Sequence, residues 1–300
     1  NANAGIIATT FGNITVNNIN AIGNQGPRAV GLQNVVGSTV GVSLLSTLGE
    51  NLILNNAGTG LEITTAGNVI LSKLNASNNG AIGANLPNQI QGIGNVTVSD
   101  SYFDNNGDTG LIIQTEGAIS LVSVSASSNG GTDNSNGAYL GGGARSVSVV
   151  KSKFNGNTGT GLVVIASGSI TLNSILANDN AHAIPNADPD LAGQFSGIFL
   201  QNSCIDCTSG VTIKNSYYNN EFNRNTNISL IDTLTTAPQG VGINIRTYGP
   251  LVIRGASASD NGQHGAYLLN NDSTINNVSI FNSQFESNRL TGMWVQTLGN

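Results

Sequence analysis

Short runs in which aliphatic and small polar residues alternate recur along the whole chain, separated by clusters of Gly and Asn. In Gly60-Leu61-Glu62-Ile63 the Leu and Ile fall on one face and Glu62 on the other, the two-residue period of a half-buried strand. The same opening returns as Gly5-Ile6, Gly110-Leu111, Gly161-Leu162, Gly242-Ile243 and Gly292-Met293. With that Gly as position 0, position 7 is Gly in every copy: Gly12, Gly67, Gly117, Gly168, Gly249 and Gly299. Positions 9 and 11 are aliphatic, from Ile14 and Val16 to Leu251 and Ile253. Position 16 is Ala (Ala21, Ala76, Ala126, Ala177, Ala258), and position 19 is Asn (Asn24, Asn79, Asn129, Asn180, Asn261).

A looser unit with the same grammar lies between these copies, opening at Gly83-Ala84, Gly137-Ala138, Gly197-Ile198 and Gly265-Ala266 and closing on Ser101-Tyr102-Phe103, Ser152-Lys153-Phe154, Ser216-Tyr217-Tyr218 and Ser283-Gln284-Phe285. The period of about 50 residues is therefore two coils of about 25, a repeat length that marks a solenoid. Each coil holds three short strands. Too short to bury two faces in a hairpin stack, they are predicted to pair in parallel with like strands above and below, so that their inward aliphatics form one core. The expected fold is all-β, a right-handed parallel β-helix of about ten coils spanning residues 1–300 as one segment, with loop insertions at 181–196, 201–210 and 219–239. The position-7 Gly is expected to turn a corner with positive φ. The position-19 Asn is expected in a turn, tolerating the left-handed region and bonding the Asn one full repeat away. Because the chain starts and stops at similar phases without a cap, it is expected to be an internal piece of a longer repeat protein.

Composition supports this reading: charged residues are 9% and aromatics 5% of the chain, and the rest is rich in the aliphatics that a disordered chain would lack, without the Glu- and Lys-richness of a helical one. The net charge of −6 has no basic cluster, which argues against nucleic acid as a partner, and no apolar run reaches the length of a membrane span. The two cysteines, Cys204 and Cys207, form one C-x-x-C, half of what a structural zinc site requires. They are a candidate disulfide suited to an oxidising compartment, with two free thiols as the alternative.

The Gly-Leu-x-Ile, Ile-Thr-Leu and Ala-Ser-x-Asn segments resemble the right-handed β-helix repeats of the pectin-lyase-like superfamily, and most of all those of large secreted bacterial surface and adhesin-like proteins. The resemblance covers essentially the whole chain. It implies secretion to the extracellular space or cell surface, and a fold shared by rods and by polysaccharide-degrading enzymes; it does not imply an activity.

If positions 1 and 3 of the first strand point inward, position 2 points out. Down the stack it reads Ile7, Gly31, Glu62, Asn85, Ile112, Tyr139, Val163, Phe199, Asn244, Tyr267 and Trp294. Ile112, Tyr139, Val163 and Phe199 are expected to form an exposed apolar strip on consecutive coils, and with Tyr267 and Trp294 they make a candidate interaction face. Its expected partners are other copies of this chain or flanking parts of the same long chain; stacking on glycans is the alternative. No pair of carboxylates recurs on that face as glycoside hydrolysis needs, so neither catalysis nor a cofactor is expected. Asp100, Asp104 and Asp108 could hold calcium loosely but read better as solvated turn residues. His182 and His264 read as loop residues, and Arg246, Arg254 and Lys214 as an ion-pair patch with Glu221 or Asp232. The function expected is that of a structural or adhesive rod.

Overall fold

The computed structural model describes residues 1–35, 40–87, 94–131, 135–180, 196–202, 211–214, 220–221, 240–270 and 277–297. It is a parallel β-helix, and no helix occurs among these residues. Every strand pairing is parallel and joins one coil to the next, in a single sheet that winds through three walls. The strands Ala138–Lys153 and Leu162–Leu176 each run through all three walls without a break. The insertions at 181–195, 203–210 and 222–239, with Cys204 and Cys207, lie outside the described residues.

The column has about eight turns rather than ten. That is the number of coils paired with a neighbour on both sides along every wall. The coil opening at Gly5 is paired on one side, and the coil opening at Gly265 meets the next coil on the first wall alone.

Inside, the walls do what the alternation requires. On the first wall Leu61, Ile63, Leu111, Ile113, Leu162, Val164, Ile198 and Leu200 are fully or almost fully buried, as are Val98, Leu121, Val149, Leu172 and Ile213 on the second. Stacked aliphatics at the parallel spacing of about 4.8 Å make one continuous apolar core along the axis.

The third wall explains why the sequence repeats every two coils. Successive coils place Leu74, Ser101, Val124, Ser152 and Ile175 in one buried column and Ala76, Phe103, Ala126, Phe154 and Ala177 in its neighbour. Where one column is large the other is small, so each coil fills a similar volume, which keeps the interior close-packed. The serines add a second function. At the corners before Leu74, Val124 and Ala256 a left-handed residue, Lys73, Ser123 or Gly255, interrupts the backbone ladder, and the next N–H is taken by the serine one coil on: Leu74 N–H donates to Ser101 Oγ (3.2 Å), Val124 to Ser152 (3.1 Å) and Ala256 to Ser283 (3.3 Å).

The position-19 asparagines form a buried ladder, but not as expected. Each side-chain amide bonds the Asn one coil away: Asn24 to Asn56, Asn56 to Asn79, Asn79 to Asn106, Asn106 to Asn129, Asn129 to Asn157 and Asn157 to Asn180, at 2.9 to 3.2 Å. The backbone N–H of each of these donors reaches the same acceptor oxygen. The left-handed residue is the one immediately before the rung: Asn55, Asn78, Asn105, Ser128, Gly156 and Asp179 have φ of 55 to 65°. That conformation turns the corner and swings the following Asn inward.

The position-7 glycines also have a different role from the one expected. Gly12, Gly67, Gly117, Gly168 and Gly249 do not have positive φ. In four of them the N–H donates to a threonine hydroxyl two residues back, Thr10, Thr65, Thr115 or Thr247, closing a small side-chain turn. At Gly168 the reason for Gly is contact, because a Cβ there would overlap the Arg145 carbonyl of the coil beneath.

Candidate functional site

The outward column of the first wall is in the register that the alternation predicts. Ile7 pairs with Gly31, Gly31 with Glu62, Glu62 with Asn85, and Asn85 with Ile112. Ile112 pairs with Tyr139, Tyr139 with Val163, Val163 with Phe199, Phe199 with Asn244, Asn244 with Tyr267, and Tyr267 with Trp294. The structure therefore brings Ile112, Tyr139, Val163, Phe199, Tyr267 and Trp294 onto one line.

They are not one exposed strip. Val163 is 8% and Phe199 7% exposed, while Ile112, Tyr139, Tyr267 and Trp294 are half-buried. Pointing away from the core does not ensure exposure when neighbouring side chains lie across the face, as the Arg246 guanidinium does 5.6 Å from the Phe199 ring centre. The apolar column thus has an open stretch at Ile112 and Tyr139 and another at Tyr267 and Trp294, separated by a covered one. The Tyr267 and Trp294 rings are stacked, with centres 4.5 Å apart and planes within 7°.

Arg254 lies 4.6 Å above the Phe281 ring centre, so both Arg246 and Arg254 are engaged with aromatic faces. Arg246 is the diagonal neighbour of Phe199 on the next coil, and Arg254 stands directly in register with Phe281. Asp232 and the Glu221 side chain lie outside the described residues. The ion pair recorded among described residues joins Arg28 to Glu62 at 2.8 Å, at the opposite end of the column. His182 also lies outside the description. His264 sits against Tyr267, with ring centres 5.8 Å apart, and its Nδ1 is buried without a hydrogen-bond partner. Burial pushes its imidazole below the ordinary value, against a backbone hydrogen bond at Thr291 that acts the other way.

Asp100, Asp104 and Asp108 do not converge, and no group of three metal-ligating side chains occurs among the described residues. Asp100 occupies a left-handed corner. Asp108 Oδ1 accepts the Thr109 N–H at 2.6 Å and the Ser135 hydroxyl at 3.3 Å. Asp104 Oδ1 accepts the Ser127 N–H at 2.7 Å and the Ser125 hydroxyl at 2.8 Å. Burial pushes the Asp104 carboxyl above its ordinary range, and the two hydrogen bonds and Lys153 offset part of that rise.

No family model matches the chain, and no curated protein matches it. Among solved structures it is similar to ORF18 of Geobacillus virus E2, with a TM-score of 0.45 and 13% identity over 98% of this chain and 54% of that one. The chain spans about half the length of that protein.

Proposed function

We propose that this chain is a structural and adhesive rod, a β-solenoid segment of an extracellular fibre, sheath or cell-surface protein with coils of the pectin-lyase-like kind. The observation that carries this reading is the buried asparagine ladder from Asn24 to Asn180. Its amides bond along the axis, in parallel with the backbone ladders of three walls, so tension along the rod is shared among many hydrogen bonds on every coil. Such a column supplies reach and stiffness, and its outward face supplies attachment to a second copy or to neighbouring parts of the same protein. Electron microscopy of the material in its native setting tests this. Rods built into fibres, sheaths or the cell surface are expected; free monomers with no attachment would contradict it.

A glycan-binding reading is favoured by the stacked Tyr267 and Trp294 pair, whose outer ring face is of the kind that lies against sugar rings. Phe199, being covered, is removed from that surface. Loss of glycan retention in Tyr139→Ala and Trp294→Ala variants would support it, and unchanged retention would exclude it. A polysaccharide-degrading reading has less support, because Glu62 on the outward column is neutralised by Arg28. Incubation with acidic and neutral glycans, followed by analysis for cleaved chains, tests it.

A further inference from the structure

The internal repeat allows each coil to be compared with its neighbours, and at Asp104 the comparison exposes a charge that the fold does not need. The corresponding rungs carry neutral acceptors for the N–H one coil on. Ser77 Oγ accepts from Asp104 N–H (3.0 Å), Ser127 Oγ from Asn155 N–H (3.1 Å) and Asn155 Oδ1 from Asn178 N–H (2.9 Å). Asn155 shows that an amide performs this task with the same geometry. A carboxylate there is held in a site that resists its charge, a condition commoner at binding sites than in scaffolds.

The surroundings are equally particular. Tyr102, Ser125 and Lys153 stand in register on the outward side of the third wall on three consecutive coils. Tyr102 is 45% exposed and Lys153 is exposed. The Lys153 ammonium acts on Asp104 through its field, yet the ion pair among described residues is elsewhere, so a gap remains between the two charges. An aromatic face, a carboxylate acceptor and an ammonium donor therefore lie within about 10 Å along the axis at the parallel strand spacing.

We propose that Tyr102, Asp104, Ser125 and Lys153 form a binding site for a neutral pyranose. The ring lies against Tyr102, one hydroxyl donates to Asp104, and a neighbouring hydroxyl oxygen accepts from Lys153. One positive and one negative group make the site neutral overall, which suits a polyol better than a uronate or a cation, and on a chain of net charge −6 a neutral ligand meets no repulsion. The site lies on a different wall from the Tyr139 column and depends on neither reading above.

The test is NMR or calorimetric titration of the whole chain with cellohexaose, mannohexaose and maltohexaose, with oligogalacturonate as the charged control. Saturable binding of at least one neutral hexaose is expected, weakened at least tenfold in Tyr102→Ala and in Asp104→Asn and unchanged in Thr171→Ala on the second wall. Asp104→Asn keeps the rung acceptor, as Asn155 does, so thermal melting confirms that the variant is folded. Binding of no neutral hexaose, binding of oligogalacturonate alone, or binding insensitive to Tyr102 and Asp104 would overturn the assignment. The last outcome, with loss in Tyr139→Ala, would move the ligand to the first wall.

Discussion

The side-chain amide of Asn129 donates to Oδ1 of Asn157 at 3.0 Å, and the Asn129 backbone N–H reaches the same oxygen at 3.0 Å. Asn129 Oδ1 in turn accepts both donors of Asn106. Each rung is thus acceptor for the coil before it and donor to the coil after it, and neither function can be lost without leaving a buried polar group on a neighbour.

Replacing Asn129 by Ala should therefore cost about 3–5 kcal/mol, since two buried donors of Asn106 lose their acceptor at about 1–3 kcal/mol each. Replacing the exposed Asn68, which accepts one N–H from Asn95, should cost about 1 kcal/mol or less. Denaturant midpoints of the two variants check the contrast.

The alternation of Ala and Phe on the third wall predicts a large cost for Phe103→Ala, about 3–5 kcal/mol, because the ring is fully buried between the small residues Ala76 and Ala126 and nothing nearby can collapse into its place. Ala126→Phe should also destabilise, since it would set three aromatic rings on successive coils. Thermal melting of the two variants separates this from a core that accepts any apolar residue.

The left-handed corners make an opposite prediction. Ser123 has φ of 55° and Gly255, at the matching corner, 58°. Ser123→Gly should stabilise by about 0.5–1 kcal/mol, the relief of the left-handed penalty less the entropy of Gly. Gly156→Ala, at φ 65°, should destabilise by about 1 kcal/mol.

Asp104 and His264 set the pH dependence. The Asp104 carboxyl is raised in the fold, so its contribution to stability is complete below its unfolded value of 3.8 and is lost as pH rises through the higher folded value. Asp104→Asn should raise the melting temperature near neutrality and leave it almost unchanged at pH 3. The His264 imidazole is lowered, so its contribution is present above 6.5 and is lost as pH falls through the lower folded value. Melting curves between pH 3 and 8 for the chain and for the two variants Asp104→Asn and His264→Gln resolve the two effects.

The register of the first wall was legible from alternation alone: Ile112, Tyr139, Val163 and Phe199 fall on one line because a two-residue period fixes which way each side chain points. What alternation could not supply was the third dimension. Whether Phe199 is covered depends on Arg246 of the next coil, and which residue takes the left-handed turn depends on how the corner swings Asn79 inward. The two-coil period was visible, but its cause, the exchange of Leu and Ala for Ser and Phe in neighbouring columns, appears only when Leu74 and Ser101 are seen stacked. At Tyr102, Asp104 and Lys153 the sequence placed three acids in one turn and gave no sign that a lysine about 50 residues away would join one of them.

The stack itself is tested most directly by nitroxide distances along the outward column of the second wall, where Thr97, Ser120, Ser148, Thr171 and Thr212 stand in register. In a chain with Cys204 and Cys207 changed to Ser, labels at Thr97 and Thr171 should lie about 14 Å apart and labels at Thr97 and Thr212 about 19 Å, a rise of about 4.8 Å per coil. Distances that do not rise coil by coil in this way would contradict the parallel column and everything built on it.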